Sequence, residues 1–319
     1  MDRREFLGSA LGAAFGARGF PYVVNSQVPG KTDNLAADKH ILNRDSVVSR
    51  LREVIKDLLD KLEKNTHLTV KFRPLDRKFG VVAQYNFQQP NRPVISLRND
   101  WEDVDVAHEL IHMKLELVEG YSVLAWRKKV PRDESVEKAF GLIRSYVDDI
   151  IVFQRLFQMG LKIDGEVIKH QFFDDICTRV PKYLKEGRSL RNDGMAHFDN
   201  FTWGQYGDLR RSAFLVHAEL FAKSYGDKLS KEHNRSLKDF ISTFRRFRRD
   251  QAVKADTVLG YFKEHNVLKI EDHRNILSKW AALENISSWV GVSTYVRRGG
   301  GFVLPFPSKQ DTSERNSKG

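Results

Sequence analysis

The stretch from Asp103 to Glu119 constrains this chain more than any other, because it reads as a helix that protein must enclose on most sides. At about 100° of rotation per residue, Val104, Val106, Ala107, Leu110, Ile111, Met113, Leu115, Leu117 and Val118 cover one broad arc. His108, Glu109 and His112 share the narrow remainder with Asp105, Glu116 and Glu119, and only Asp103 and Lys114 break the pattern. A helix apolar over more than half its circumference belongs in a core, so its polar stripe is expected to face an internal cleft or a narrow opening.

Within that stripe, His108-Glu109-Leu110-Ile111-His112 puts two imidazoles one turn apart on one face, with a carboxylate beside them. Both rings can then grip a single metal ion. The bland alternative is an amphipathic helix whose histidines simply meet solvent, and the apolar flanks weigh against it. Asn99-Asp100 offers an N-cap for this helix, and the acidic residues of its first turn suit the dipole. Short β-prone runs at 68–72, 80–87 and 93–97 precede it, separated by turn formers, so a small sheet is expected just before the histidine helix. Which strand forms the edge is not readable.

Two histidines leave a catalytic zinc one protein ligand short. The missing group is expected from the next long helix, 134–159, where Glu134, Glu137, Asp148 and Asp149 are the candidates. On a helical wheel Glu137, Asp148, Arg144 and Arg155 cluster opposite the apolar face, which points to exposed ion pairs for Asp148. Asp149 projects between Leu142, Phe153 and Leu156, and an aspartate on the margin of a packed face needs a partner such as a metal. Asp149 is therefore the preferred third ligand, with Asp148 and Glu137 as alternatives. Glu116 and Glu119 lie on the same helix as both histidines, where fixed spacing suits them to roles behind the ligands or in the pocket wall.

Val106 to His112 after a small sheet, followed by a helix carrying Ser145-Tyr146-Val147-Asp148-Asp149, resembles the minimal core of the zincin metallopeptidases, whose signature is H-E-x-x-H. The third ligand in that superfamily is most often a glutamate, in the gluzincin branch, or less often an aspartate. The chain lacks the third-histidine signature of the metzincins and the glutamate motif of the best-known gluzincins. The resemblance implies one catalytic Zn2+, with Glu109 as the general base that takes a proton from the attacking water and passes it to the leaving amine. It also calls for a donor to the oxyanion, for which Tyr146, Tyr206, Arg210 and His217 are candidates. His217 lies near Ala213, Leu220 and Phe221, so a satisfied core histidine is the competing reading.

The functional expectation is thus a zinc metallopeptidase acting on a protein or peptide. Two other classes compete with it: a catalytically degenerate, zinc-stabilised binding or scaffold protein of the cell envelope, and a basic nucleic-acid-binding protein. An intact Glu109 argues against the first, since a structural site needs no general base. The second draws on a formal net charge of +11 and on the run Phe244-Arg245-Arg246-Phe247-Arg248-Arg249. Because Phe240, Phe244 and Phe247 recur at helical spacing, that run reads better as a core stripe with solvated arginines, and nucleic acid is not favoured as a partner.

Met1-Asp2-Arg3-Arg4-Glu5-Phe6-Leu7, with the small and apolar run to Ala17 and then Arg18, resembles a twin-arginine export signal (Tat). It implies passage of an already folded protein to the bacterial periplasm, with a cytoplasmic location as the alternative. No segment reaches the length of a transmembrane helix, so no membrane anchor is expected. Cys177 is the single cysteine, which excludes an intramolecular disulfide, and its apolar surroundings suit a buried thiol.

The expected fold is α+β and mostly helical, with a small N-terminal sheet packed on the histidine helix and a helical C-terminal half. Residues 1–17 are read as the signal segment, 18–40 as a linker, 41–160 as the metal-bearing core, 161–306 as the helical region completing the catalytic domain and 307–319 as a disordered tail. Helices are predicted over 41–62, 165–186, 208–226, 234–265 and 270–290. Gly299-Gly300-Gly301 is read as a turn without chemistry.

Overall fold

A computed structural model of the chain describes residues 41–75, 83–85, 90–127, 133–162, 177–178, 180–186 and 207–307. The expected signal segment, linker and all but the first residue of the tail lie outside these residues, as does the first part of the helix predicted over 165–186. The described fold is α+β and mostly helical. It begins with α1 (Arg44–Ser49) and α2 (Glu53–Thr66), followed by β1 (Lys71–Pro74), β2 (Ala83–Tyr85) and β3 (Val94–Leu97). The histidine helix is α3 (Asp103–Leu117), and β4 (Val123–Trp126) leads to α4 (Glu134–Gln158). The remaining elements are α5 (Val180–Glu186), α6 (Gly207–Tyr225), α7 (Lys231–Phe247), α8 (Arg249–Glu264), α9 (Ile270–Leu283), β5 (Val290–Ser293), β6 (Val296–Arg298) and β7 (Gly301–Val303).

The single helix expected over 41–62 is broken at Arg50–Arg52. Arg52 stands in extended backbone as the N-cap of α2, and its main-chain and side-chain N–H groups both reach Asp103 Oδ2. That contact explains one of the two pattern breakers in α3: Asp103 lies at the helix start, where it pairs with a cation from another element. Partial burial works against its charge, but Arg52 outweighs this and holds the carboxyl below its ordinary range. Ile55, Leu58, Leu59 and Leu62 form the inward stripe of α2, which packs against α3.

Three strands form a sheet in the order β1-β3-β2. β1 runs parallel to β3, with Phe72 opposite Ile95, while β2 runs antiparallel to it, with Tyr85 opposite the same residue. β2 is thus an edge of this sheet among the described residues, and it lies against α3. The cap of α3 differs from the expected Asn99-Asp100. Glu102 occupies the N-cap, and its N–H donates to Asp105 Oδ2 at 2.8 Å, so the acidic first turn satisfies the helix's own start.

The C-terminal half departs most from expectation. β4 pairs antiparallel with β5, which sets Leu124 opposite Val292 and ties the segment after the histidine helix to the far end of the chain. α4 packs on α3, α6 and α9, so the helices carrying His108, His112 and Asp149 share one core with the C-terminal helices, which includes Leu110, Ile143, Phe214 and Trp280. The helix expected over 234–265 is two helices, broken at Arg248, which sits at φ −130° and ψ 59°. Phe240 and Phe244 are buried as the stripe requires, but Phe247 at the end of α7 is 41 % exposed.

Gly299 and Gly300 take φ of +56° and +82° in the turn between β6 and β7, a tight hairpin geometry that side-chain-bearing residues resist. Asn91 closes the outer edge of this hairpin. Its Nδ2 donates to Phe302 O at 2.9 Å and its Oδ1 accepts from Phe302 N–H, while a Cβ at Gly301 would stand 2.8 Å from that Oδ1. Asn91→Ala leaves both main-chain groups of a buried residue without their partner. It is expected to cost about 1–3 kcal/mol of stability, measured by urea unfolding; an unchanged midpoint would mean that water replaces the amide without cost.

Candidate metal centre

α3 presents His108 and His112 from successive turns, and α4 crosses it with Asp148 and Asp149. His108 Nε2 and His112 Nε2 lie 3.0 Å apart, and Asp149 Oδ1 is 3.4 Å from the first and 3.3 Å from the second. His108 and Asp149 are each 1 % exposed, whereas the His112 side chain keeps 14 %, so approach is from the His112 side. Asp149 Oδ1 is buried and takes no hydrogen bond of normal geometry among the described residues. With the two imidazole nitrogens it makes three ligand atoms, with no Lys or Arg among them, and this group could hold a metal ion.

Asp148 sits on the other side of the same ring. Its Oδ2 is 3.7 Å from His112 Nδ1 and 3.8 Å from Arg144 Nε, and its Oδ1 pairs with His273 Nε2 at 2.7 Å. Arg144 also pairs tightly with Glu116. The expectation that Asp148 makes exposed ion pairs is therefore corrected: it is buried together with Arg144, at 2 % and 3 % side-chain exposure. The wheel placed them opposite the apolar face of α4, but α9 and the polar stripe of α3 cover that face too. His112, Glu116 and Asp148 form a second group with ligand spacing. There the Arg144 guanidinium already supplies the cation, which makes the group around Asp149 the better place for a metal.

The electrostatics lead to the same group. Glu109, Glu116, Asp148 and Asp149 are four buried carboxylates, and Arg144 is the one fixed cation paired with them in the contacts described above. Burial opposes the charge on Asp149, but His108 and His112 outweigh it and hold the carboxyl below its ordinary range. Burial likewise opposes a proton on His112, and Asp148 and Asp149 overcome it, raising that ring from 6.5 to about 10. A cation is wanted between these groups, and either a proton or a metal ion answers the demand.

Glu109 lies at the sheet. Its Oε2 accepts the Tyr85 main-chain N–H at 2.8 Å, which brings the edge strand β2 to the carboxylate, and the residue stays 7 % exposed. Glu137 is buried at 8 % exposure but belongs to neither ligand group. Glu119 holds Arg155 in an ion pair and stands 3.3 Å from Lys114, the second pattern breaker of α3. Tyr146 is fully buried, stacked near Trp280 and edge-on to His217 at 4.5 Å. His217 Nε2 faces Tyr146 O at 2.7 Å and must donate to it; burial lowers its pKa, partly offset by Asp149. Both read as core groups beside the centre. Tyr206 and the side chain of Arg210 lie outside the described residues.

His273 is the residue that sequence reasoning missed. It lies 125 positions from Asp148 on a helix with ordinary amphipathic spacing, and no local pattern marks it. Cys177 is buried, and burial raises its thiol well above its ordinary range, as suits an inert core cysteine. No protein-family model matches the chain, no curated protein matches it, and no solved structure matches it.

Proposed function

We propose that this protein is a zinc-dependent metallopeptidase hydrolysing peptide bonds in a protein or peptide substrate. The observation that carries the proposal is the convergence of His108 Nε2, His112 Nε2 and Asp149 Oδ1, with separations of 3.0, 3.3 and 3.4 Å, on a helix that also carries Glu109 next in sequence to His108. A tetrahedron built on zinc–ligand bonds of about 2.0–2.1 Å has edges of about 3.3–3.4 Å. When bound there, zinc acidifies a water and polarises a carbonyl.

The chain's own residues supply the rest. Tyr85 N–H fixes one oxygen of Glu109, which orients the carboxylate as the acceptor of the attacking water's proton and the later donor to the leaving amine. The edge position of β2 beside that carboxylate suits an extended peptide bound by strand addition. The proposed setting is the bacterial periplasm, reached through the twin-arginine-like start of the chain. No helix among the described residues is long and apolar enough to cross a membrane.

A second reading, a zinc-stabilised scaffold without catalysis, is favoured by the enclosure of the centre, in which two of three ligands are 1 % exposed. The nucleic-acid reading gains no comparable support: Phe240 and Phe244 are in the core, and Arg245 is engaged by Glu219 and Asp256. Chelation separates the first two. Stripping the metal from purified protein is expected to abolish digestion of an unfolded protein substrate, and zinc is expected to restore it. A chelated protein that only unfolds at lower temperature, with no hydrolysis before or after, would favour the scaffold.

A further inference from the structure

Asp148 and Asp149 are neighbours on α4, yet they face opposite nitrogens of one ring. Asp149 Oδ1 is 3.3 Å from His112 Nε2, and Asp148 Oδ2 is 3.7 Å from His112 Nδ1. The other Asp148 oxygen is taken by His273 Nε2 at 2.7 Å. We propose that His273 and Asp148 are positioning residues of the metal centre: His273 holds the Asp148 carboxylate so that it draws the His112 proton to Nδ1 and leaves Nε2 as the lone-pair donor to the ion. The inference rests on the reading of His108, His112 and Asp149 as a metal site.

The contacts give Asp148 this role and deny it that of a ligand. A carboxylate only accepts, so the His273 nitrogen at 2.7 Å is the protonated one. Arg144 stands 3.8 Å from Asp148 Oδ2 and is itself paired with Glu116, so the carboxylate is held from two sides. At 3.7 Å its action on His112 is that of a fixed charge rather than a formed hydrogen bond. A carboxylate behind a ligating imidazole sets its tautomer and raises its basicity. His108 has no counterpart among the described residues, where its buried Nδ1 meets no partner. The anchored side of the centre is therefore His112, and its anchor comes from α9. This makes the C-terminal half part of the site rather than an appendage to it.

The test uses full-length wild type, His273→Gln, His273→Leu and Asp148→Asn, each stripped and titrated with Zn2+ against a chromophoric chelator, then loaded with Co2+ for visible absorption. His273→Gln keeps an N–H for Asp148 and is expected to bind zinc as wild type does. His273→Leu and Asp148→Asn are expected to weaken zinc by about 10–100-fold and to shift the cobalt bands, which a loss of fold stability alone would not do. Wild-type affinity and an unshifted spectrum in His273→Leu would overturn the proposal, as would a His273→Gln variant as weak as His273→Leu, which would reduce His273 to packing. If His273→Leu does not fold, Asp148→Asn decides in the same terms. A wild-type chain that takes up no zinc would instead overturn the underlying metal reading, and this proposal with it.

Discussion

Glu109→Gln is expected to keep its zinc and to lose about 10²–10⁴-fold of its hydrolytic rate, the usual contribution of a positioned general base. The substitution preserves shape, and the amide carbonyl can still accept the Tyr85 N–H that the carboxylate now holds at 2.8 Å. The proposed ligands His108, His112 and Asp149 are untouched, so metal content should match the wild type. What the amide lacks is a site for the proton that leaves the attacking water. The readout is kcat on an unfolded protein or peptide, taken with the zinc-to-protein ratio of the same sample. Full activity would remove Glu109 from the mechanism, and loss of zinc would make it a structural support for the centre.

Asp149→Ala is expected to have the larger effect on the metal itself. The carboxylate faces both imidazoles at 3.3–3.4 Å and is the only acidic member of that ligand group. Its removal leaves two neutral rings and no anionic member in that group to meet a divalent ion. The loss of affinity should therefore exceed the roughly 10–100-fold that follows removal of an outer partner. Asp148→Asn provides the control, because it alters the same stretch of α4 without deleting a ligand. Full occupancy in Asp149→Ala together with an empty Asp148→Asn would move the ion to His112, Glu116 and Asp148. It would then have to share its site with Arg144.

The parts of this arrangement that a sequence reader can see are those written in one helical period. The apolar arc of α3 makes its burial legible, and the same wheel on α4 singles out Asp149 through its place between Leu142, Phe153 and Leu156. The same reasoning misplaced Asp148, because a wheel shows which residues share a face and not how many neighbours cover that face. α4 packs against α3, α6 and α9, so Arg144 and Asp148 on its polar side are as dry as residues of its apolar face. His273 was illegible for a related reason: its partner is 125 residues away, and only the tertiary fold makes them meet. β4 and β5 are four residues each and come from distant parts of the chain, too short to outweigh the helical pattern around them. The break at Arg248 carries neither proline nor glycine to announce it.

The central claim is that one divalent ion is held jointly by two turns of α3 and one aspartate of α4. X-ray absorption at the zinc edge, on full-length protein purified without added metal, tests this most directly. The expected result is about one zinc per chain, with two imidazole nitrogens and oxygen ligands at about 2.0–2.2 Å, and loss of the bound zinc in Asp149→Ala. A chain free of zinc, or a spectrum without imidazole scattering, would contradict it.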